Sequence, residues 1–229
     1  MTTERFRCLR KGYCCKLSPI SLLPFEEYLL KVAAEKLDIK CVITHGYTVF
    51  DRRTRSHIAL SYVLELNNGK CPFLDSDNKC LLHNSYKPLV CRAFPYIPRE
   101  VRYLYNTDMR IIIAYTEYGL SRKCPVIEAS INYISRFMNV NPMYLSMYMP
   151  SEVKAAMEME RKRGIIMRLL SNLWKKGLVD LEPGEKNPTN KDNVVNVYDI
   201  LRAYYPDLPY ILGVHEAIAS LKVLTSRRR

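Results

Sequence analysis

The stretch Cys8-Leu9-Arg10-Lys11-Gly12-Tyr13-Cys14-Cys15 sets three thiols within eight residues. Gly12 stands where a tight turn needs a residue free to take positive φ, so the chain can carry Cys8 back toward the vicinal pair. Cys41 aside, four more cysteines follow in order: Cys71 with Cys80, then Cys91, then Cys124. Between Cys71 and Cys80, Asp75-Ser76-Asp77-Asn78 is turn chemistry between short apolar runs, which predicts a hairpin with a thiol near each end. Cys91 lies in Lys87-Pro88-Leu89-Val90-Cys91-Arg92-Ala93-Phe94-Pro95, and Cys124 precedes Pro125. Thiolates repel one another, and a cation or cluster that they ligate is the usual reason to gather several. Cys8, Cys14, Cys15, Cys71, Cys80, Cys91 and Cys124 are therefore the candidate metal ligands.

Taken in this order, the Cys8–Cys15 group, the Cys-Pro-Phe-Leu run from Cys71, Cys80, the Lys-Pro-x-x-Cys-Arg-x-Phe-Pro run from Lys87 and the Cys124-Pro125 pair resemble the YkgJ-type cysteine-cluster family. The resemblance spans roughly residues 5 to 127 and implies a zinc- or iron-chelating domain. Many members open with Cys-x-x-Cys-x-x-Cys-Cys, whereas this chain has Lys11 at the second cysteine. The resemblance also implies distant kinship with flagellin lysine methylases, and through it protein-lysine methyl transfer using the cluster.

The residues themselves leave zinc and iron–sulfur open. Structural zinc usually takes four ligands from two short Cys-x(2–4)-Cys knuckles, and no such knuckle is present. A cluster, [4Fe-4S] foremost, also takes four thiolates and can draw them from loops distant in sequence. Seven thiols exceed one four-ligand site, so some stand behind the ligands or a binuclear site shares them. Ordinary buried thiols with one or two disulfides are the structural alternative. Disulfides need an oxidising compartment, and Met1–Arg7 has no apolar core of a signal peptide, so the expected compartment is the cytoplasm. Cys41, in a β-branched run, reads as a small core residue. His83, three residues after Cys80, is a candidate imidazole ligand or a structural histidine.

The formal charge is +12, with 21 Lys and Arg against 13 Asp and Glu in residues 1–150. A four-thiolate zinc or [4Fe–4S]2+ centre carries about −2, so part of the excess can surround an anionic site. The remainder can attract an acidic protein or bind nucleic acid weakly, which makes a zinc-stabilised nucleic-acid or protein adaptor the binding-module alternative. Apolar runs such as Ile111–Tyr115 are far too short to cross a membrane.

Periodicity predicts a helix over Pro24–Lys36, strands over 42–50 and 57–66 around a polar turn, a third strand over 109–116 joining them, and a helix over 126–138. From Ser151, read as an N-cap, a helix runs to about Lys176. Ile166, Leu169, Leu170, Leu173 and Trp174 form its apolar stripe, and Lys154, Arg161, Arg168 and Lys175 recur every seven residues on one basic face. Leu181–Pro188 reads as a linker, with helices over 194–204 and 209–224 and a frayed Arg227-Arg228-Arg229 tail. The expected fold is α+β: a small antiparallel sheet with helices and a cysteine-rich loop cluster in residues 1–150, then a mainly helical basic region in residues 151–229. No dinucleotide fingerprint, P-loop, H-E-x-x-H helix or serine elbow is present, so no motif nominates a catalytic residue.

Overall fold

The computed structural model describes residues 5–140, 143–182 and 193–223. After a 3-10 turn at Tyr13–Lys16, strand β1 (Ile20–Leu22) leads into helix α1 (Pro24–Leu37). Pro24 brings a preset φ to the first helical turn, and the Glu26 carboxylate accepts the Leu23 amide at 2.9 Å, so α1 starts where its sequence predicts. Phe25, Leu29, Leu30 and Ala33 recur at helical spacing and are all buried. Each large one stabilises the fold by ~1.5–3 kcal/mol.

The β-rich segment divides into four short strands instead of two long ones: β2 (Ile43–His45), β3 (Thr48–Asp51), β4 (Ser56–Ala59) and β5 (Tyr62–Leu64). The break lies where Gly46 meets Ser61. The Gly46 amide donates to the Ser61 carbonyl and the Tyr47 amide to the Ser61 hydroxyl, both at 2.8 Å. A Cβ on residue 46 would stand 2.6 Å from that hydroxyl oxygen, so a side chain here would push the Ser61 hydroxyl out of its bond to Tyr47. Here the chain changes sheet: β5 pairs antiparallel with β1 and β2, while β3 and β4 pair with each other.

Helix α2 (Leu89–Ala93) precedes a long hairpin of β6 (Tyr96–Asn106) and β7 (Ile111–Leu120). The strand expected over 109–116 thus exists as part of β7, but it does not join the 42–66 strands; its partner is β6 in a separate two-stranded sheet. A four-residue turn makes β6 the local partner, and β7 is tied to the C-terminal region, where the Ile112 amide donates to Ser171 Oγ at 2.9 Å.

Helices α3 (Pro125–Val140) and α4 (Tyr144–Tyr148) pack around Ile127, Ile134 and Met149 beside the 26-residue α5 (Pro150–Lys175). Pro150 opens α5 and Ser151 lies inside its first turn, so the expected serine cap is not formed. The apolar stripe is seated as expected, with Ile166, Leu170, Leu173 and Trp174 buried, and Lys154, Arg161, Arg168 and Lys175 are all exposed. Strands β8 (Leu181–Glu182) and β9 (Val194–Asn196) complete a sheet of order β8-β3-β4-β9, in which β9 runs parallel to β4. The helix expected from residue 194 therefore begins at 197: α6 (Val197–Tyr204) is capped by Asn196, whose side chain accepts the Tyr198 amide at 2.9 Å and donates to the Pro24 carbonyl at 3.0 Å. The last predicted helix is split at Gly213 into α7 (Leu208–Ile211) and α8 (Val214–Lys222). Most of the expected linker, Leu224 and the Arg227–Arg229 tail lie outside the described residues. One hydrophobic cluster runs from Cys15 to Leu221 and takes in α1, α5, α6 and α8. The fold is α+β, with small sheets and a helical C-terminal region.

Candidate metal centre

Two loops make the floor of the centre. Gly12 has φ 67°, and the Cys15 amide donates to its carbonyl at 3.0 Å, so Cys14 and Cys15 ride on a 3-10 turn. A Cβ on Gly12 would stand 2.7 Å from the Asn78 carbonyl oxygen, which presses this turn directly on the Cys71–Cys80 loop. The two are also joined through the main chain: the Cys71 amide donates to the Cys15 carbonyl at 2.7 Å. The loop itself is the predicted turn. The Lys79 amide donates to Asp75 Oδ1 at 2.7 Å, the Asp75 amide to the Lys79 carbonyl at 2.9 Å, and Leu74 and Cys80 form an antiparallel bridge.

Cys91 arrives on α2, whose start is pinned to α1. Glu26 accepts the Leu89 amide at 2.7 Å and the Tyr86 hydroxyl at 3.0 Å, while Arg92 pairs with Glu158 of α5 at 3.3 Å. Cys124 closes a turn by donating its amide to the Ser121 carbonyl at 3.1 Å and stands at the start of α3.

These elements bring the seven cysteines together. Cys8, Cys14, Cys15, Cys80 and Cys124 line one cleft of about 300 Å³; Cys14, Cys15 and Cys91 line a second of about 490 Å³. Cys71 lines neither cleft and is buried beside Cys15, to whose carbonyl its amide donates. The vicinal pair thus forms the wall between the clefts, with Cys14 Sγ and Cys15 Sγ 3.9 Å apart. Cys41 is elsewhere, but it is not the core residue expected: it is half-buried at the edge of the core near Lys31, just before strand β2 begins at Ile43. All eight cysteines are free thiols. Among the described residues, no three Cys, His, Asp or Glu side chains already stand together closely enough to hold one ion. The loops gather the donors around the Cys14–Cys15 wall without closing them on a single point.

Crowding shows in the protonation equilibria. Cys14 is pushed far above the usual thiol range by its hydrogen bond to Cys15 and then by burial, with Lys87 opposing. The Cys14 contact by itself lowers Cys15, but the Cys71 hydrogen bond, burial and the charges of Cys71 and Cys80 outweigh it and push Cys15 up to about 12. Burial raises Cys80, Cys91 and Cys124, and Lys87 opposes the rise at Cys80 and Cys91. Thiols packed this way hold their protons against one another, and a bound cation is what relieves such repulsion. The soft donor set also fits the group: in a tetrahedral zinc site two thiolates at about 2.3 Å from the ion stand about 3.8 Å apart, close to the Cys14–Cys15 separation.

The surroundings are cationic. Arg10, Lys11, Lys79 and Lys87 line the first cleft, and Arg99, Arg122 and Lys123 the second; neither is lined by an Asp or Glu. Lys11, standing in place of a thiol, is exposed on the first cleft. His83 lines it too, and burial, then Lys87 and Arg10, push its pKa down, which favours the neutral imidazole that a metal requires. The sequence indicated that part of the basic excess could surround an anionic site, and Arg10, Lys11, Lys79, Lys87, Arg122 and Lys123 each lie within four residues of a cysteine, but their division between two clefts was not legible, since the members come from five segments.

No curated protein and no solved structure matches the chain. Residues 7–116 match the CxxCxxCC family, described as a putative zinc- or iron-chelating domain. The match takes in six of the seven gathered cysteines and leaves Cys124 beyond its end. It does not reach to methyl transfer. Over residues 7–116, a little under half of its length, the chain that assembles the thiol wall is thus similar to the CxxCxxCC family, which is described as zinc- or iron-chelating.

Proposed function

We propose that the ligands of an iron–sulfur cluster, [4Fe-4S] by preference, are drawn from among Cys8, Cys14, Cys15, Cys71, Cys80, Cys91 and Cys124, in a cytoplasmic protein. The observation that carries this reading is the convergence of thiols from four separate segments on the Cys14–Cys15 wall between two clefts. Ligands from distant loops suit a cluster better than the short knuckles of structural zinc. Position supports a reactive role over a purely structural one, because a closed structural site has no cleft against its ligands, whereas Cys14 and Cys15 face two. When bound, such a cluster supplies one-electron or Lewis-acid chemistry. The chain's own part is to hold Cys91 by the Glu26–Leu89 bond, to seat the first turn on the Cys71–Cys80 loop through Gly12, and to surround the thiolates with Lys and Arg.

Zinc is the second reading, favoured by the 3.9 Å separation of Cys14 and Cys15, which suits two ligands on one ion. Anaerobic purification separates the two. Brown protein with iron and acid-labile sulfide in equal amounts supports the cluster; colourless protein with stoichiometric zinc replaces it with zinc; protein with neither overturns both.

A further inference from the structure

The second cleft has features that a metal centre alone does not need. Three cations reach it from two segments, Arg99 on β6 and Arg122 and Lys123 after β7, and no acidic side chain lines it, although the chain carries 23 Asp and Glu. None of the three is ion-paired among the described residues. A thiolate centre of about −2 would already be matched by Arg10 and Lys11 on the other side of the wall, which likewise lack an acidic partner among the described residues.

Arg99 is also positioned. Its side chain lies across Gly119 on the neighbouring strand, where a Cβ would stand 2.8 Å from Nε and 3.0 Å from Cγ, and its guanidinium donates to the Leu120 carbonyl. The missing side chain of Gly119 therefore leaves the space that Arg99 occupies. The remaining guanidinium donors are held at the cleft, the arrangement that suits an oxyanion. Beyond the cations, Val90, Phe94 and Ile97 give the cleft apolar walls, and its volume of about 490 Å³ suits a small molecule.

From these observations we infer that the second cleft binds a small organic oxyanion, a carboxylate or phosphate compound, with its charged end on Arg99, Arg122 and Lys123 and its body along Val90 and Phe94 toward Cys14 and Cys91. That its far end adjoins a metal rests on the proposed centre; the anion site itself does not.

The test is calorimetric titration of the full-length, anaerobically purified protein with pyrophosphate and with succinate at constant ionic strength, with metal content measured on the same samples. Saturable one-to-one binding is expected, and the preferred probe distinguishes phosphate from carboxylate. Arg99→Gln and Arg122→Gln should each weaken it by ~10-fold, the worth of one charge-assisted hydrogen bond. Gly119→Ala, which changes no charge, should weaken it through displacement of Arg99. Lys154→Gln on the exposed face of α5 removes the same charge and should leave it unchanged. Absence of saturable binding, equal weakening by Lys154→Gln, or capture only of oligonucleotides with affinity rising with length would each overturn the proposal. Loss of metal from the unsubstituted protein would instead count against the centre, and the anion titration would still be read on the metal-free form.

Discussion

The Leu89 amide donates to the Glu26 carboxylate at 2.7 Å, so the helix that carries Cys91 is fastened to α1 across 63 residues of chain. Glu26 is fully buried, and burial raises its pKa despite the amides of Leu89 and Leu23, the Tyr86 hydroxyl and Lys162, which lower it. A carboxyl that holds its proton more tightly when folded contributes stability that is complete below the unfolded pKa of about 4.3 and is lost as pH rises through the higher folded value. Glu26→Gln removes this titration. The melting temperature of the unsubstituted metal-free protein, relative to that of Glu26→Gln, is expected to fall as pH rises from about 4 toward neutrality. A pH-independent difference would show that Glu26 does not titrate in this way.

Replacing Cys80 or Cys91 by Ser should release bound metal and lower stability by roughly 2–3 kcal/mol, or ~5–10 °C in melting temperature, because metal-binding free energy is also folding free energy. Cys41→Ser should keep full metal content, since Cys41 lies apart from the thiol wall. Elemental analysis with thermal unfolding reads both results, and unchanged metal in Cys80→Ser and Cys91→Ser would remove them from the ligand set.

Gly12→Ala tests the seating of the first turn. The left-handed backbone costs about 1–2 kcal/mol with a side chain present, and the new Cβ meets the Asn78 carbonyl at 2.7 Å, where backbone must move. The expected outcome is reduced metal occupancy with the far-ultraviolet circular dichroism preserved. Full occupancy would mean that the two loops need not touch.

Lys11→Cys restores a thiol at the position where family relatives carry one. Lys11 is exposed at the first cleft, so the substitution should be tolerated and should raise metal occupancy or add a second ion under anaerobic conditions. An unchanged metal-to-protein ratio would mean that the seven cysteines already complete the site.

The exposed Lys154, Arg161, Arg168 and Lys175 face should give only weak, sequence-independent binding to nucleic acid. Binding across a salt series checks this: each replacement by Gln of a side chain that neutralises a phosphate should make the log–log slope shallower by close to one unit. A sequence-selective complex that persists at physiological salt would contradict it.

Legibility in the sequence followed how local each feature is. α1 and α5 could be read because Leu29, Ala33, Ile166 and Leu170 repeat at the helical period and lie against one core. The Cys71–Cys80 turn was equally readable, since Asp75 and Asn78 build it from their own neighbourhood. β6 escaped because its residues alternate between half-buried and exposed and include Pro98, so neither face is clearly apolar. β9 escaped for a different reason: Val194–Asn196 continues the helical pattern of the residues after it and becomes a strand only through pairing with His57–Ala59. In the site, the ordered cysteines identified the donors, but their arrangement as a wall between two clefts comes from contacts such as Cys15 with Cys71 that no local pattern encodes. The division of the cationic lining between the two clefts was hidden for the same reason.

The parallel pairing of β4 with β9 bears on the order of events during synthesis. Every gathered thiol, up to Cys124, leaves the ribosome before Val194–Asn196 exists to complete the sheet on β4. The nascent chain therefore presents its cysteines while part of their scaffold is still missing. A metal delivered at that stage would meet open loops, whereas one delivered after release must enter through the clefts. Partner strands far apart in the sequence thus separate an early route of loading from a late one.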